Sequence, residues 1–264
     1  MRIIAIANQK GGVGKTTTAI NLSAGLAARE KKTLLLDLDP QANATSGLGA
    51  EASEENCMYH PLLGQARIQD KIVPSRLKNL SLVPGDMDLA GVEIELAQMD
   101  GYLSRLRSIL ESLRETHDFD YIVLDTPPSL GVLMTSALAA ADEIIIPLQC
   151  EWFGLEGLAK IVHVIERIRE AQVNPNVVLE GILMTMYDAR TNLSKSVVEE
   201  VSKYFPEQLY RTFIPRSIRI GEAPSYGRTI FEHDPQGAGA LSYAGFADEF
   251  LSRRAKHPNS GSSD

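Results

Sequence analysis

A glycine-rich segment near the N-terminus constrains the fold of this 264-residue chain more than any other feature. It runs Asn8-Gln-Lys-Gly-Gly-Val-Gly-Lys-Thr-Thr17 and stands between a short apolar run, 3–7, and a longer helical pattern, 16–30. Glycines let successive backbone N–H groups converge on phosphate oxygens, and a following helix adds its positive N-terminal end. The segment therefore predicts a strand, a phosphate-binding loop and a helix in that order.

The side chains of this loop predict a bound nucleotide with a metal ion. Lys15 is expected to reach the β- and γ-phosphates, and the Thr16 hydroxyl is expected to ligate Mg²⁺. Gln9 stands where the usual pattern has glycine, so the loop is a variant. The predicted nucleotide-binding residues of the loop are Lys10, Gly11, Gly12, Val13, Gly14, Lys15, Thr16 and Thr17.

Apolar runs alternate with helical patterns along most of the chain. Further strands are predicted at 33–37, 80–83, 121–125, 143–148 and 178–184, and further helices at 102–116, 132–141, 155–171, 193–205 and 238–255. The strand runs are almost continuously apolar, which is typical of strands buried on both faces. We therefore predict an α/β fold with a doubly wound, mostly parallel sheet flanked by helices. We expect a single domain over 1–257, and a disordered tail over the small, polar residues 258–264.

Two of the predicted strands end in aspartate. Asp125 closes the strand 121–125, and carboxyl ends of strands are where ligands bind in open α/β sheets. It is the expected acidic partner of Mg²⁺, through a bound water. Asp37 and Asp39 point to the same side of the chain. Asp39 is the better candidate for orienting an attacking water, and Asp37 is expected to cap the loop.

Composition excludes several function classes. With 26 Lys and Arg against 34 Asp and Glu, the net charge of −8 makes nucleic-acid binding depend on a local basic patch. Two cysteines cannot build a disulfide framework or a four-thiolate zinc site. No stretch of 18 apolar residues or signal peptide is present in the sequence, so the expected location is cytoplasmic.

Five segments together resemble the ParA/Soj family of chromosome-partitioning ATPases, which are P-loop NTPases with a deviant Walker A motif. Lys10 is the additional lysine characteristic of that motif. The resemblance runs from residue 1 to about 250, in motif order. The matching segments are 10–17, 37–49, 125–129, 186–191 and 214–227.

The resemblance implies further roles for residues in these segments. Lys10 is expected to reach the partner's phosphates across an ATP-dependent homodimer, so the implied catalytic residues are Asp39, Lys10 and Lys15. Pro215 and Ser217 are expected to line the adenine. A bulky side chain at Gly11 or Gly12 is expected to block pairing of the two loops rather than nucleotide binding.

The region 190–228 is a candidate DNA surface. It carries seven basic and four acidic side chains, a balance that also fits a scatter of solvated charges. The resemblance implies that Arg190 and Arg219 contact double-stranded DNA without sequence preference. It also implies nucleoid association and a ParB/Spo0J-type partner that stimulates hydrolysis.

Other functions also fit parts of the sequence. A MinD-like ATPase positioning an assembly on a membrane or nucleoid is the main alternative, but the pattern of the last helix favours core packing over lipid. An iron–sulfur electron donor requires paired cysteines, and neither Cys57 nor Cys150 lies in the expected segment. An ATP-dependent ligase requires a second substrate pocket, which the sequence does not reveal. The aromatic pair Trp152-Phe153 departs from the family pattern. It is expected to serve packing, and the alternative is that the exchange alters the partner surface.

Overall fold

The computed structural model describes residues 1–53 and 55–256, so the predicted tail 258–264 lies outside the described residues. The strands are β1 (Arg2–Ile6), β2 (Thr33–Asp37), β3 (Val73–Pro74), β4 (Leu80–Val83), β5 (Tyr121–Asp125), β6 (Glu143–Gln149) and β7 (Val178–Thr185). The helices are α1 (Lys15–Ala27), α2 (Asn43–Gly47), α3 (Tyr59–Leu63), α4 (Leu89–Ala97), α5 (Tyr102–Thr116), α6 (Val132–Ala140), α7 (Trp152–Glu170), α8 (Asn192–Tyr204), α9 (Ile218–Glu222), α10 (Ile230–His233) and α11 (Ala238–Lys256).

The described strands form one sheet in the order β3-β4-β2-β5-β1-β6-β7. All neighbouring pairs are parallel except β3 with β4. The predicted α/β fold with a mostly parallel, doubly wound sheet is confirmed. The antiparallel edge strand β3 was not predicted, because two residues form no recognisable apolar run.

The sheet is buried on both faces. Alternate residues of each central strand point to opposite sides, so Ile3 packs in one core cluster and Ile4 in another. Helices α1 and α11 cover the Ile4 side, whereas α4 to α8 supply the Ile3 side. This double burial accounts for the continuous apolar runs in the sequence.

Some helices begin or end at other residues than predicted, because the spacing of apolar residues does not mark where a helix starts or stops. Helix α1 ends at Ala27 rather than residue 30, because Glu30 adopts a left-handed conformation (φ 58°) and its N–H donates to the Ala27 carbonyl. Helix α7 begins at Trp152 rather than 155, directly after the extended Glu151. In the last helix, α11, Phe246 and Phe250 are buried, in agreement with the expected core packing, whereas Leu241 is exposed.

Among residues 1–53 and 55–256, no helix is both long and apolar enough to cross a bilayer.

A cluster of charged side chains joins helix α11 to β7 and to the segment that contains Tyr210 and Thr212. The Arg253 guanidinium stacks 3.9 Å from the centre of the Tyr210 ring and donates to Glu249 at 3.1 Å. Glu249 in turn accepts hydrogen bonds from the backbone and hydroxyl of Thr212. Glu180 of β7 lies 3.9 Å from Arg253 and is largely buried. The cluster places a carboxylate where solvation is poor.

Stability is expected to fall as pH rises through neutrality, in part because of Glu180. Burial raises the pKa of Glu180 to about 7, so the folded chain holds a proton that the unfolded chain releases. Between about pH 6 and about pH 8.5, the wild-type free energy of unfolding should drop by on the order of 1–3 kcal/mol. Glu180→Gln should show a shallower decline in urea titrations. Identical pH dependence of both proteins would contradict this origin.

Candidate nucleotide-binding site

The sheet register brings the predicted site residues to one edge. Asp125 at the end of β5 pairs with Ile6 of β1 on one side and with Asp37 of β2 on the other. The loop 8–14 leaves β1 directly beyond Ile6. The loop and the strand-end aspartates therefore meet at the carboxyl edge of the parallel sheet, where ligands of such folds bind.

The loop has the backbone of an anion cradle. Gly12 (φ 74°) and Gly14 (φ 90°) both adopt left-handed conformations that other residues rarely take, and α1 begins at Lys15 directly after them. Gly11 differs from these two glycines, because its φ is not positive and an added Cβ would lie 3.9 Å from Pro128. A side chain at Gly11 therefore fits within one protomer. Because Gly11 is exposed, that side chain would face solvent.

Two buried polar side chains that sequence reasoning missed hold the loop in place. The Asn8 amide donates to the Pro147 carbonyl at 2.8 Å and accepts from the backbone N–H of Lys10 at 3.0 Å. The Thr185 hydroxyl, at the end of β7, donates to the Val13 carbonyl at 2.8 Å. These contacts join the loop to β6 and β7.

Lys15 is buried at the start of α1, with 6% of its surface exposed. Its Nζ donates to the Lys10 carbonyl at 3.2 Å, across the mouth of the loop. Burial lowers the pKa of Lys15, whereas the negative charges of Asp125 and Asp39 oppose that effect. A phosphate is the group that would best compensate a buried ammonium at the centre of such a cradle.

Asp125 is fully buried, and neither of its carboxylate oxygens receives a well-aligned hydrogen bond within the described part of the chain, although the Thr16 hydroxyl lies nearby. Burial, followed by the charge of Asp37, raises the pKa of Asp125 well above its ordinary value. Buried carboxylates are normally paired or directed at a metal. Together with Thr16, this carboxylate supplies the oxygen donors that Mg²⁺ prefers, so the residues present fit a magnesium–nucleotide complex.

Asp37 and Asp39 have different surroundings. Asp37 is fully buried and accepts hydrogen bonds from the backbone and hydroxyl of Thr45, at 2.8 and 2.7 Å, and from the Asp39 N–H. Burial raises the pKa of Asp37 to about 6 despite these bonds. Asp37 therefore anchors α2, as its expected capping role requires. One oxygen of Asp39 accepts from the Gln41 N–H at 3.0 Å.

Lys10 is held by a residue that the sequence did not single out. Its Nζ lies 2.6 Å from Glu151, and both side chains remain partly exposed. Glu151 immediately precedes α7, whose first residues, Trp152 and Phe153, are 62% and 75% exposed. The expectation that this pair serves packing is wrong, because both rings are exposed at the start of α7. The ion pair of Lys10 thus ends on the residue that directly precedes two exposed aromatic side chains.

The segment predicted to line an adenine runs beside the extension of β7. Tyr187 pairs in parallel with Pro215, with backbone hydrogen bonds to Ile214 and from Arg216. Ser217 follows in extended conformation and precedes α9. Pro215 and Ser217 therefore lie near the same sheet edge as Thr185, which contacts the phosphate loop.

The two predicted DNA-binding arginines are exposed, and each pairs with a nearby carboxylate. Arg190 is 89% exposed at its side chain and lies 2.7 Å from Asp188, which precedes the basic region 190–228 by two residues. That contact lowers the pKa of Asp188 to about 2. Arg219 pairs with Glu222 at 3.0 Å. Exposed pairs of this kind contribute little to stability, so both cations can exchange a carboxylate for a phosphate.

Known proteins resemble this chain over most of its length. A family model described as an AAA domain matches residues 1–179. The chromosome partitioning protein ParA of Myxococcus xanthus is 47% identical over 253 residues, covering 96% of this chain and 88% of that protein. The sporulation initiation inhibitor protein Soj of Bacillus subtilis is also 47% identical, covering 94% and 97%. Cobyrinic acid a,c-diamide synthase of Mycobacterium smegmatis, solved with an ATP analogue and magnesium, superimposes with a TM-score of 0.83 at 33% identity, covering 98% of both chains.

Proposed function

The chain belongs to the ParA/Soj family of chromosome-partitioning ATPases and uses ATP and Mg²⁺, and from that premise we propose that it is a DNA-binding switch. ATP binding forms a homodimer that holds non-specific double-stranded DNA of the nucleoid. Magnesium-dependent hydrolysis, stimulated by a ParB/Spo0J-type protein, releases it. The cycle segregates chromosome origins or plasmids.

One observation carries this proposal. The loop containing Lys10 follows β1, and the loop containing Arg190 follows β7, so both leave the carboxyl edge of the same parallel sheet. Pairing of two copies through their phosphate loops would bring two sets of basic side chains into one assembly. Two linked weak contacts bind a polymer far more tightly than one, so nucleotide-driven pairing is sufficient to control DNA retention.

Each site residue has a proposed role. Lys15 and the backbone of 10–17 hold the phosphates, and Pro215 and Ser217 border the adenine. Thr16 and, through water, Asp125 hold the magnesium ion, which when bound neutralises phosphate charge. Asp39 orients the attacking water. Lys10 leaves Glu151 and contributes its charge to the partner's site, which links hydrolysis to pairing.

The contacts of the basic side chains on the last helix favour DNA over a lipid membrane as the binding partner. Arg253 is bound to Glu249 and the Leu209 carbonyl, and Arg254 is bound to Glu143. These cations of α11 are engaged within the protein. In contrast, Arg190 and Arg219 and the other basic residues of 190–228 are all exposed. A partition function also accords with the 47% identity to ParA and Soj, against 33% to the amide-forming synthase.

Co-sedimentation with sheared double-stranded DNA and with anionic phospholipid vesicles tests the proposal. In the presence of a non-hydrolysable ATP analogue, we expect the wild-type protein to sediment with DNA but not with vesicles. ADP should abolish retention, and increasing salt should weaken it steeply, because phosphate contacts release counterions. Retention on vesicles alone would favour the MinD-like alternative, and binding to neither would refute a DNA switch.

Arg190→Glu is expected to reduce ATP-dependent DNA retention about tenfold or more, because the new carboxylate repels phosphates and lies beside Asp188. Arg219→Glu should have a similar effect. The matched control is Arg67→Glu, since Arg67 is exposed and pairs with Asp70 at i+3, just as Arg219 pairs with Glu222. Nucleotide binding should remain unchanged in all three variants. Equal loss of DNA in the Arg67 variant would show that net charge alone determines retention.

A further inference from the structure

We propose that the groove between α7 and α8 receives a cationic, apolar segment of the partner protein that stimulates hydrolysis. This inference rests on the proposed function. The groove encloses about 370 Å³ and lies on the helix layer of the Ile3 side. Its apolar walls are Leu155, Leu158 and Val162 of α7 with Val201 of α8 and Phe205 just beyond it.

The dimensions of the groove suit a short peptide segment. Its volume is at the small end of the range for ligand pockets, enough for a few side chains. The lining residues on α7 recur at helical spacing, so the groove is an elongated trough between two helices. An amphipathic segment that presents apolar side chains along one face is the complementary shape.

The charged residues that line the groove indicate the net charge of the segment that binds there. Glu166 and Glu200 both line it, and no lysine or arginine is among the described lining residues. Tyr204 is exposed at the same end of the groove, and the ammonium of Lys203 lies 5.0 Å from the centre of its ring, so the unpaired charges among the described residues that line the groove itself are the two carboxylates. Phosphates of DNA or anionic lipid would be repelled by the two carboxylates. A second copy of this acidic chain lacks the complementary net charge, whereas a basic protein segment has it.

The two helices connect the groove to the nucleotide site and to the DNA surface. Helix α7 begins directly after Glu151, the residue that holds Lys10. Helix α8 begins directly after Thr191, which ends the loop carrying Arg190. A segment wedged between the helices shifts one against the other, and small shear motions of packed helices displace the loops at their ends. Occupation of the groove therefore acts on Lys10 and Arg190 together, as release of DNA upon hydrolysis requires.

Charge reversal in the groove tests this inference. The variant Glu166→Lys/Glu200→Lys carries the reversal, and Glu170→Lys/Glu199→Lys is its matched control, with the same charge change on exposed positions of the same helices outside the groove. We expect the groove variant to lose about tenfold or more of the ATPase stimulation by the purified ParB/Spo0J-type protein. The control should retain it, and both should keep wild-type basal hydrolysis. Because Glu199 and Glu200 both lie within 190–228 and the two variants gain the same positive charge, any increase in DNA retention should be equal in the two.

A crosslinking experiment addresses the same contact without reversing charges. Cys57 and Cys150 are buried, so a cysteine introduced at exposed Ala159 in the groove can be labelled selectively with a maleimide photo-crosslinker. It should capture the purified partner in the presence of ATP, whereas Glu170→Cys should not. Normal stimulation of the charge-reversed variant, or equal crosslinking from both cysteines, would overturn the groove assignment alone. Failure of the partner to stimulate the wild-type protein would overturn the proposed function, and this inference with it.

Discussion

Asp39→Ala should bind ATP, form the dimer and remain on DNA, while its ATP hydrolysis falls by about 100-fold or more. Asp39 lies beyond β2, at the edge where the phosphate loop and Asp125 meet, and the Gln41 N–H donates to one of its oxygens. Its removal leaves Lys15, Thr16 and Asp125 in place, so the residues proposed to bind nucleotide and metal are unaffected. Single-turnover assays measure the loss of hydrolysis, and co-sedimentation measures whether the variant remains on DNA.

Asp39→Asn separates the chemistry of Asp39 from its contact with the loop. Asparagine retains an oxygen that can accept from the Gln41 N–H, but it lacks the negative charge. If the charge positions and polarises the attacking water, this variant should be nearly as inactive as the alanine variant. Wild-type hydrolysis in Asp39→Ala would refute the catalytic role. Activity in the asparagine variant alone would limit Asp39 to shaping the loop.

The sequence predicts the sheet well because buried strands have a distinctive local pattern. The strands 33–37, 80–83 and 121–125 and the helix 102–116 match the structure residue for residue. Continuous apolar runs flanked by polar residues signal double burial without reference to any distant partner. The same holds for the phosphate loop, whose glycines act through local backbone conformation.

The site was less predictable where it depends on distant contacts. Glu151 is 141 residues from Lys10 in sequence, and nothing local marks it as the partner of that lysine. The exposure of Trp152 likewise depends on where β6 ends relative to the sheet edge, whereas aromatic residues usually predict burial. Thr185 was missed because a single hydroxyl at a strand end has no characteristic motif. Such contacts are determined by topology, which places the ends of β1, β6 and β7 side by side.

Lys10→Ala is expected to abolish ATP-dependent dimerisation and to lower hydrolysis by about 100-fold or more, while the monomer still binds ATP. A cation supplied from the partner neutralises charge that develops on the phosphates, so its loss removes both pairing and catalysis. Glu151→Gln is the matched control, because it breaks the ion pair with Lys10 but leaves the lysine available. It should dimerise at least as readily as the wild type in size-exclusion chromatography with ATP.

Gly11→Val tests pairing of the loops independently of charge. Its Cβ position is open within one protomer and its φ is not positive, unlike that of Gly12, so the folded monomer should tolerate valine. We expect normal ATP binding with loss of the dimer, because a branched side chain on the exposed loop separates the two phosphate sites. Normal dimerisation of this variant would place the pairing surface elsewhere.

Mixing two inactive variants distinguishes a lysine acting across the dimer from one acting within its own subunit. In a dimer of Lys10→Ala with Asp39→Ala, the first subunit keeps Asp39 and can receive Lys10 from the second, so one complete site forms. Hydrolysis by the mixture should then rise about tenfold or more above that of either variant alone. If Lys10 acts within its own subunit, neither site is complete and the mixture stays inactive. Recovery of turnover on mixing would thus tie catalysis to pairing, which is the property that a nucleotide-driven DNA switch requires.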